Sequence, residues 1–101
     1  MRLMIFFDLP TSTKVDRRNY AHFRKFLKDI GFEMIQFSVY VRITRNHDDL
    51  DKYQRLINAK IPLRGDVRCL AITEKQYSNI KILIGNHTPI PEYGIDELVE
   101  I

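Results

Sequence analysis

The chain has 101 residues, of which 45% are hydrophobic and 29% are charged, and it contains one cysteine. This length suits a single compact domain, and one cysteine excludes an internal disulfide framework and a multi-cysteine zinc site. No stretch has the length of a membrane helix, and the N-terminal apolar run is too short for a signal peptide. We therefore expect a cytoplasmic protein with no membrane association.

Charge is distributed unevenly along the chain, whose net charge is +3. Residues 14–30 include six basic and two acidic residues, a net charge of +4, whereas residues 88–101 include four acidic residues and no basic ones. The basic segment favours a polyanionic partner such as nucleic acid, and the acidic segment favours a different partner. We divide the chain into a domain over residues 1–85, which includes the last strand, and an acidic C-terminal tail over residues 86–101.

The rest of the predicted fold is organised around the first strand. Residues 3–7 are all apolar, which is typical of a strand buried on both faces in the middle of a sheet. Asp8 follows directly, and Pro10 then ends the hydrogen-bonding ladder. Asp8 is therefore predicted at the C-terminal end of the strand. There its side chain would be half desolvated and would face any ligand that binds at this end of the sheet.

A basic amphipathic helix is predicted over residues 14–30, because residues 11–13 offer N-caps and Gly31 offers a C-terminal stop. Its predicted inward stripe consists of Val15, Phe23, Phe26, Leu27 and Ile30. A second face carries basic side chains, namely Arg17, Arg24 and Lys28, with Arg18 and Lys25 beside them. That face is either an ordinary solvated surface or a phosphate-binding surface, and the sequence leaves both interpretations open.

Residues 33–44 are β-branched and aromatic but long for one strand, so we predict two strands joined by a tight bend near Phe37 and Ser38. Asn46 begins a second helix with a predicted inward stripe of Leu50, Tyr53 and Ile57. A strand over residues 67–73 follows, with Cys69 in the core. A short helical turn capped by Thr73 and a last strand over residues 80–84 complete the order.

This order predicts an α+β fold, the ferredoxin-like βαββαβ arrangement with an extra C-terminal strand. Two helices cover only one face of such a sheet. The other face also carries apolar and aromatic side chains, and left bare it would be too large an apolar patch for a monomer. We therefore predict a homodimer that forms sheet to sheet.

Asp8 is the sharpest candidate for a catalytic residue, because the sequence contains no nucleophile elbow, phosphate-binding glycine loop or zinc-protease motif. The alternative is that Asp8 orders the turn before the helix. A functional role needs symmetry, since one carboxylate is a poor Mg²⁺ site. Two copies of Asp8 across a dimer axis would hold one Mg²⁺, or another divalent cation, that activates water at a phosphoryl group. Basic residues nearby would hold the phosphate backbone.

Three segments resemble the Cas2 family of CRISPR-associated proteins, namely residues 3–10 (LMIFFDLP), 31–40 and 65–77. They occur in order and at the family's spacing over about residues 1–85. The start of the first helix, Arg17-Arg18-Asn19-Tyr20, is most similar to members from type II systems.

The resemblance implies a ferredoxin-like homodimer with a C-terminal strand able to pair with the other protomer. It implies a role in spacer acquisition, in which the dimer bridges two dimers of the larger CRISPR integrase subunit and holds the incoming DNA duplex. It also implies a metal-dependent endonuclease that acts on RNA or double-stranded DNA through Asp8. Arg17 and Arg18 are the nearest matches to the family's basic residues, and Ser38 matches its serine after the glutamine.

We accordingly predict Asp8 as the catalytic and metal-binding residue, and a nucleic-acid-binding set of Arg17, Arg18, Arg24 and Lys28. Two functions remain compatible with these residues. One is a Mg²⁺-dependent endonuclease, and the other is a purely structural adaptor that holds DNA while Asp8 is catalytically idle. A small-ligand sensor on a ferredoxin-like dimer is a third hypothesis, which no glycine-rich loop supports.

Overall fold

The computed structural model describes residues 1–85, and the acidic tail predicted over residues 86–101 lies outside the described residues. The elements in that part are β1 (Arg2–Asp8), α1 (Lys14–Asp29), β2 (Glu33–Gln36), β3 (Val39–Ile43), α2 (His47–Asn58), β4 (Asp66–Ile72) and α3 (Glu74–Ser78). This order confirms the predicted ferredoxin-like βαββαβ arrangement. Within residues 1–85, no helix has the length and apolar character needed to cross a membrane.

The apolar strand β1 lies in the interior of the sheet, as predicted. The four strands form one antiparallel sheet in the order β2-β3-β1-β4. Leu3, Ile5 and Phe7 lie on the sheet face that α1 and α2 cover, and they form one core with Phe23, Leu27, Tyr40, Tyr53 and Ile57. Because side chains alternate along a strand, Asp8 belongs to the opposite face, which we call the open face.

Capping side chains begin the helices at the predicted positions. The N–H of Asp16 donates to the Thr13 hydroxyl at 3.0 Å, and the N–H of Thr13 donates to the Asp16 carboxylate at 3.3 Å, which completes a capping box on α1. Asn46 accepts a 2.8 Å hydrogen bond from the N–H of Asp49 at the start of α2. Thr73 caps α3 in the same way as Thr13 caps α1.

A tight turn between β2 and β3 confirms the predicted bend at Phe37 and Ser38. Ser38 adopts a φ of 64°, in the left-handed region that non-glycine residues seldom occupy. The N–H of Phe7 donates to the Ser38 carbonyl at 3.1 Å, so the turn is tied to the end of β1. This tertiary hydrogen bond helps to hold a backbone conformation that no local sequence signal predicted.

Two predictions of buried positions are wrong. Val15 is exposed, because it lies in the first turn of α1, beyond the edge of the apolar stripe that meets the sheet. Cys69 is exposed as well. It lies on β4, which is an edge strand, and its Sγ only meets the side-chain amide of Gln54 on α2 at 3.6 Å.

The extra strand predicted over residues 80–84 is not formed in this single chain. Residues 80–85 are irregular, and their large apolar side chains are exposed: Ile80, Ile82, Leu83 and Ile84. An extended segment becomes a strand only when its backbone groups pair with an available edge. The sheet edges in residues 1–85 are β2 and β4, and this segment pairs with neither of them.

Candidate functional site

The C-terminal end of β1 opens into a cavity of about 340 Å³. Its lining residues are Phe6, Phe7, Asp8, Phe37, Ser38, Val39, Asp66 and Arg68. Asp8 is exposed in this cavity, so the prediction that it is half desolvated is wrong. The reason is its position as the last residue of β1, where the strand leaves the packed sheet and its side chain meets solvent.

A second carboxylate lies directly across from Asp8 in the same chain. The register of β1 and β4 pairs Asp8 with Asp66, the first residue of β4. Directly opposed residues on antiparallel strands have Cβ atoms about 4.5–5.5 Å apart, and like charges there are destabilising. The site therefore contains two adjacent acidic side chains per chain, where the sequence analysis identified only Asp8.

Gly65 makes this close pairing possible. It has a φ of 103°, and a Cβ atom at this position would lie 2.7 Å from the Asp8 carbonyl oxygen and 2.8 Å from the Leu9 Cδ2 atom. No side chain fits between these backbones without displacing one of them. The glycine thus lets β4 begin against the last residue of β1, which puts Asp66 beside Asp8.

The two flanks of the cavity come from the strands on either side of β1. Phe37, Ser38 and Val39 line it from the β2–β3 turn and the start of β3, and Asp66 and Arg68 line it from β4. Asp8 lies between these flanks at the end of the central strand. The structure therefore brings Ser38 and Asp8 together, and it adds a basic residue, Arg68, that was not among the predicted site residues.

The four predicted nucleic-acid-binding residues do not line this cavity. Arg17 and Arg18 are exposed in the first half of α1, and Lys28 is exposed near its end. The Arg17 guanidinium donates to the carbonyl oxygens of Thr11 and Ser12 at 3.1 and 3.2 Å, so it also orders the loop after β1. The basic face of α1 is thus a surface separate from the Asp8 cavity.

Arg24 is held by the core rather than free on the helix surface. It is half-buried, and its Nε donates to the hydroxyl of the buried Tyr40 at 3.1 Å. A buried tyrosine hydroxyl usually needs such a hydrogen-bonding partner. Of the four predicted residues, Arg18 and Lys28 therefore contribute least to the fold within residues 1–85.

The carboxylates of the cavity fit a hydrated divalent cation better than a cage of protein ligands. Mg²⁺ is commonly bound through one or two carboxylates and keeps several waters, and Asp8 with Asp66 supplies such a pair in one chain. Within residues 1–85, no group of three or more histidine, cysteine, aspartate or glutamate side chains is close enough to hold a metal. The donor set in one chain thus suits Mg²⁺ with water completing its coordination.

Comparison with known proteins agrees with this fold. Residues 1–80 match the family described as CRISPR associated protein Cas2. The chain is 48% identical over 85 residues to a protein of Acidovorax ebreus (strain TPSY) named CRISPR-associated endoribonuclease Cas2, a match that covers 84% of this chain and 83% of that protein.

Two further matches extend the comparison. A protein of the same name from Lacticaseibacillus rhamnosus is 46% identical over 101 residues, which covers 100% of both chains. The crystal structure of Streptococcus pyogenes Cas2 at pH 6.5 matches with a TM-score of 0.61 and 19% sequence identity, covering 82% of this chain and 99% of that one. At that identity the solved structure is similar to this chain in fold.

Proposed function

This chain belongs to the Cas2 family of CRISPR-associated proteins, and on that premise we propose that it is a metal-dependent endonuclease whose site is the Asp8 cavity. The observation that carries this proposal is the pairing of Asp8 with Asp66 at an exposed strand end. Its relatives' name, endoribonuclease, supports RNA as one substrate. The reaction is hydrolysis of a phosphodiester, in which water adds and one P–O bond breaks.

The acidic and the basic residues of the cavity have different proposed roles. Asp8 and Asp66 would hold a divalent cation such as Mg²⁺. Neither carboxylate forms an ion pair within residues 1–85, so the two negative charges repel each other and favour a cation between them. When bound, such an ion polarises a phosphoryl oxygen and lowers the pKa of a water molecule. Arg68 donates to the phosphate from the β4 flank, and Ser38 supplies a polar contact from the opposite flank.

The functional unit is a homodimer in which the open faces of two sheets meet. Leu70 and Ile43 are exposed on that face, where they lie opposite Met4 and Arg2 of β1. Apolar side chains grouped on one sheet face favour burial against a second copy. In such a dimer the two Asp8 sites lie on the facing sheets, and one cation between the two copies of Asp8 is the alternative to a cation held by Asp8 and Asp66 of a single chain.

The sharpest test replaces each carboxylate by its amide. Asp8→Asn and Asp66→Asn keep the side-chain size but lower the charge that attracts Mg²⁺, so RNA cleavage should fall by orders of magnitude in both variants. Asp51→Asn, an exposed aspartate on α2, is the matched control and should cleave like the wild type. The measurement is cleavage of labelled RNA and of duplex DNA with Mg²⁺ and with EDTA. Cleavage that survives Asp8→Asn in nuclease-free protein would overturn the assignment.

A second function, that of a DNA-holding adaptor between copies of the larger CRISPR integrase subunit, is favoured by the separate basic face of α1. Arg18 and Lys28 are exposed there, away from the cavity. The adaptor role does not require cleavage, so it persists if Asp8 is catalytically idle. It predicts that duplex binding and integration with the larger subunit survive Asp8→Asn.

The salt dependence of DNA binding tests the adaptor surface. Replacing Arg18 and Lys28 with alanine should weaken duplex binding and reduce the slope of log affinity against log salt by up to about 2, because fewer counterions are released. The control removes the same charge from exposed positions near the end of α2, with Arg55→Ala and Lys60→Ala. An equal loss in both double variants would mean that net charge, and not the α1 face, governs binding.

A further inference from the structure

One exposed aromatic side chain at the Asp8 cavity has no role in the core. Phe37 is 74% exposed, and of the large hydrophobic side chains exposed in residues 1–85 it is the only aromatic one. It stands in the β2–β3 turn and lines the cavity that also contains Asp8. The ring of Phe37 therefore presents an apolar, aromatic surface at the cavity.

The ring of Phe37 is held in a defined position by aromatic side chains of α1 and β1. Its ring stacks on Tyr20 of α1, with ring centroids 6.2 Å apart and an interplanar angle of 28°. Tyr20 in turn packs edge-on against Phe7 of β1, at 5.9 Å and 61°. The exposed ring therefore continues a stack that begins in the core.

The backbone of the turn adds to this support. Ser38, the residue after Phe37, has a φ of 64°, and its carbonyl accepts the 3.1 Å hydrogen bond from the N–H of Phe7. Phe7 directly precedes Asp8, so the same short stretch of β1 anchors both the aromatic ring and the carboxylate. Phe37 and Asp8 are thus fixed relative to each other rather than placed on independent loops.

We propose that Phe37 is a base-stacking residue, on which an unpaired nucleobase of a single-stranded substrate stacks next to the phosphodiester at Asp8. Aromatic side chains in single-strand binding proteins stack on bases with little sequence preference, because every base has a π face. A base inside a duplex is already stacked on its neighbours and is not available to Phe37. This inference rests on the proposed nuclease site, and it specifies single-stranded nucleic acid as the substrate there.

The experiment measures stacking directly and without cleavage. The probe is a short single-stranded RNA that carries 2-aminopurine, whose fluorescence is quenched when the base stacks, and EDTA is present throughout. Wild-type protein should quench the probe, and Phe37→Ala should abolish the quenching and weaken binding about 5- to 150-fold. Phe37→Tyr keeps a ring and should retain both signals, whereas Phe37→Leu keeps an apolar side chain and should lose the quenching.

A matched control separates stacking from general loss of apolar surface. Leu63 is fully exposed on the loop before β4 and does not line the Asp8 cavity, so Leu63→Ala should bind and quench like the wild type. A duplex RNA with the same probe should show no difference between wild type and Phe37→Ala. Equal quenching by Phe37→Leu and wild type would overturn the proposal, as would dissociation of a wild-type dimer by Phe37→Ala but not by Phe37→Leu.

These outcomes are distinguishable from failure of the nuclease proposal. Asp8→Asn tests cleavage, and in EDTA it should leave the quenching by Phe37 intact. If Asp8→Asn still cleaves but the ring variants lose quenching, the stacking residue stands and the catalytic assignment fails. If Asp8→Asn abolishes cleavage and Phe37→Ala quenches normally, the reverse holds.

Discussion

Asp8 and Asp16 are two carboxylates at either end of the loop between β1 and α1, and the protein uses them differently. Asp16 is 5% exposed, completes the capping box with Thr13, and forms a 3.2 Å ion pair with Arg64. Asp8 is exposed, has no ion pair within residues 1–85, and lies opposite a like charge on Asp66. The hydrogen-bonding capacity of Asp16 serves the fold, whereas that of Asp8 is available to a ligand.

The segment from Arg64 to Asp66 connects the two carboxylates. Arg64 pairs with Asp16, Gly65 lies against the Asp8 carbonyl, and Asp66 faces Asp8 across the strands. Three consecutive residues thus fix the start of β4 against both ends of the β1–α1 loop. This comparison shows that the acidic pair at the cavity is imposed by structural contacts on either side of it.

The largest effect on this arrangement is expected from Gly65→Ala. A left-handed non-glycine residue costs about 1–3 kcal/mol, and the added methyl group also meets the Asp8 carbonyl at 2.7 Å. The free energy of unfolding, measured by urea denaturation, should fall by at least this amount, and Mg²⁺-dependent cleavage should fall with it because Asp66 moves away from Asp8.

Gly85→Ala is the control for backbone conformation. Gly85 also has a positive φ, of 147°, but its nearest neighbour to an added Cβ is 3.8 Å away. Gly65→Ala should therefore be the more destabilising substitution, with the difference attributable to the contact with Asp8 and Leu9. Equal losses of stability would show that close packing at Gly65 is unimportant.

Asp16→Ala should give the next largest loss of stability. Loss of the hydrogen bond that Asp16 accepts from the N–H of Thr13 costs about 0.5–1.5 kcal/mol, and the ion pair with Arg64 is lost as well. Asp29→Ala, which breaks an exposed ion pair with Lys25 on the same helix, should cost only about 0.3–0.5 kcal/mol. Asp8→Asn should be neutral or stabilising, since it relieves repulsion from Asp66. A larger loss in Asp8→Asn than in Asp16→Ala would reverse the assignment of roles.

Local signals explain why much of the fold could be predicted and why the site could not. The N-caps Thr13, Asn46 and Thr73 act on neighbouring backbone groups, so short sequence patterns identified Asn46 and Thr73 and placed the cap of α1 among residues 11–13. The pairing of Asp8 with Asp66 depends on strand register, which is set by contacts between distant parts of the chain. The sequence marks it only through Gly65, a glycine immediately before an apolar strand.

The wrong predictions share a physical cause. An apolar alternating pattern indicates a strand but not whether its edge or its outer surface is covered. Cys69 matches the pattern of a core residue, yet it is exposed because β4 is an edge strand. Residues 80–84 match the pattern of a strand, yet within residues 1–85 they pair with neither sheet edge, β2 or β4. The proposed homodimer supplies a second copy with further edges.

Mg²⁺ should stabilise the protein through Asp8 and not through Asp16. A ligand that binds only the folded state at ten times its dissociation constant raises the free energy of unfolding by about 1.4 kcal/mol. Wild type should show this increase in urea denaturation as Mg²⁺ is titrated, Asp8→Asn should lose it, and Asp29→Ala should keep it. Stabilisation that persists in Asp8→Asn would place the cation elsewhere.

The smallest effect concerns Asp49, a carboxylate that resembles Asp16 in its use. Its Oδ2 accepts a 3.0 Å hydrogen bond from the backbone N–H of Arg45, and this bond, with the nearby Arg45 and Arg42 side chains, lowers the pKa of Asp49 below its ordinary value of 3.8. Its contribution to stability is therefore fully present above that value and is lost as the pH falls through the lower folded-state pKa.

Asp49→Asn tests this sign directly, because asparagine keeps the size of the side chain but does not titrate. The variant should be less stable than the wild type at neutral pH, and the difference should shrink as the pH is lowered past 3.8. Exposed Asp51→Asn on the same helix controls for the general effect of acid. A wild-type advantage that grows on acidification would mean that the carboxylate of Asp49 is destabilised by its surroundings, which would contradict the lowered pKa of Asp49.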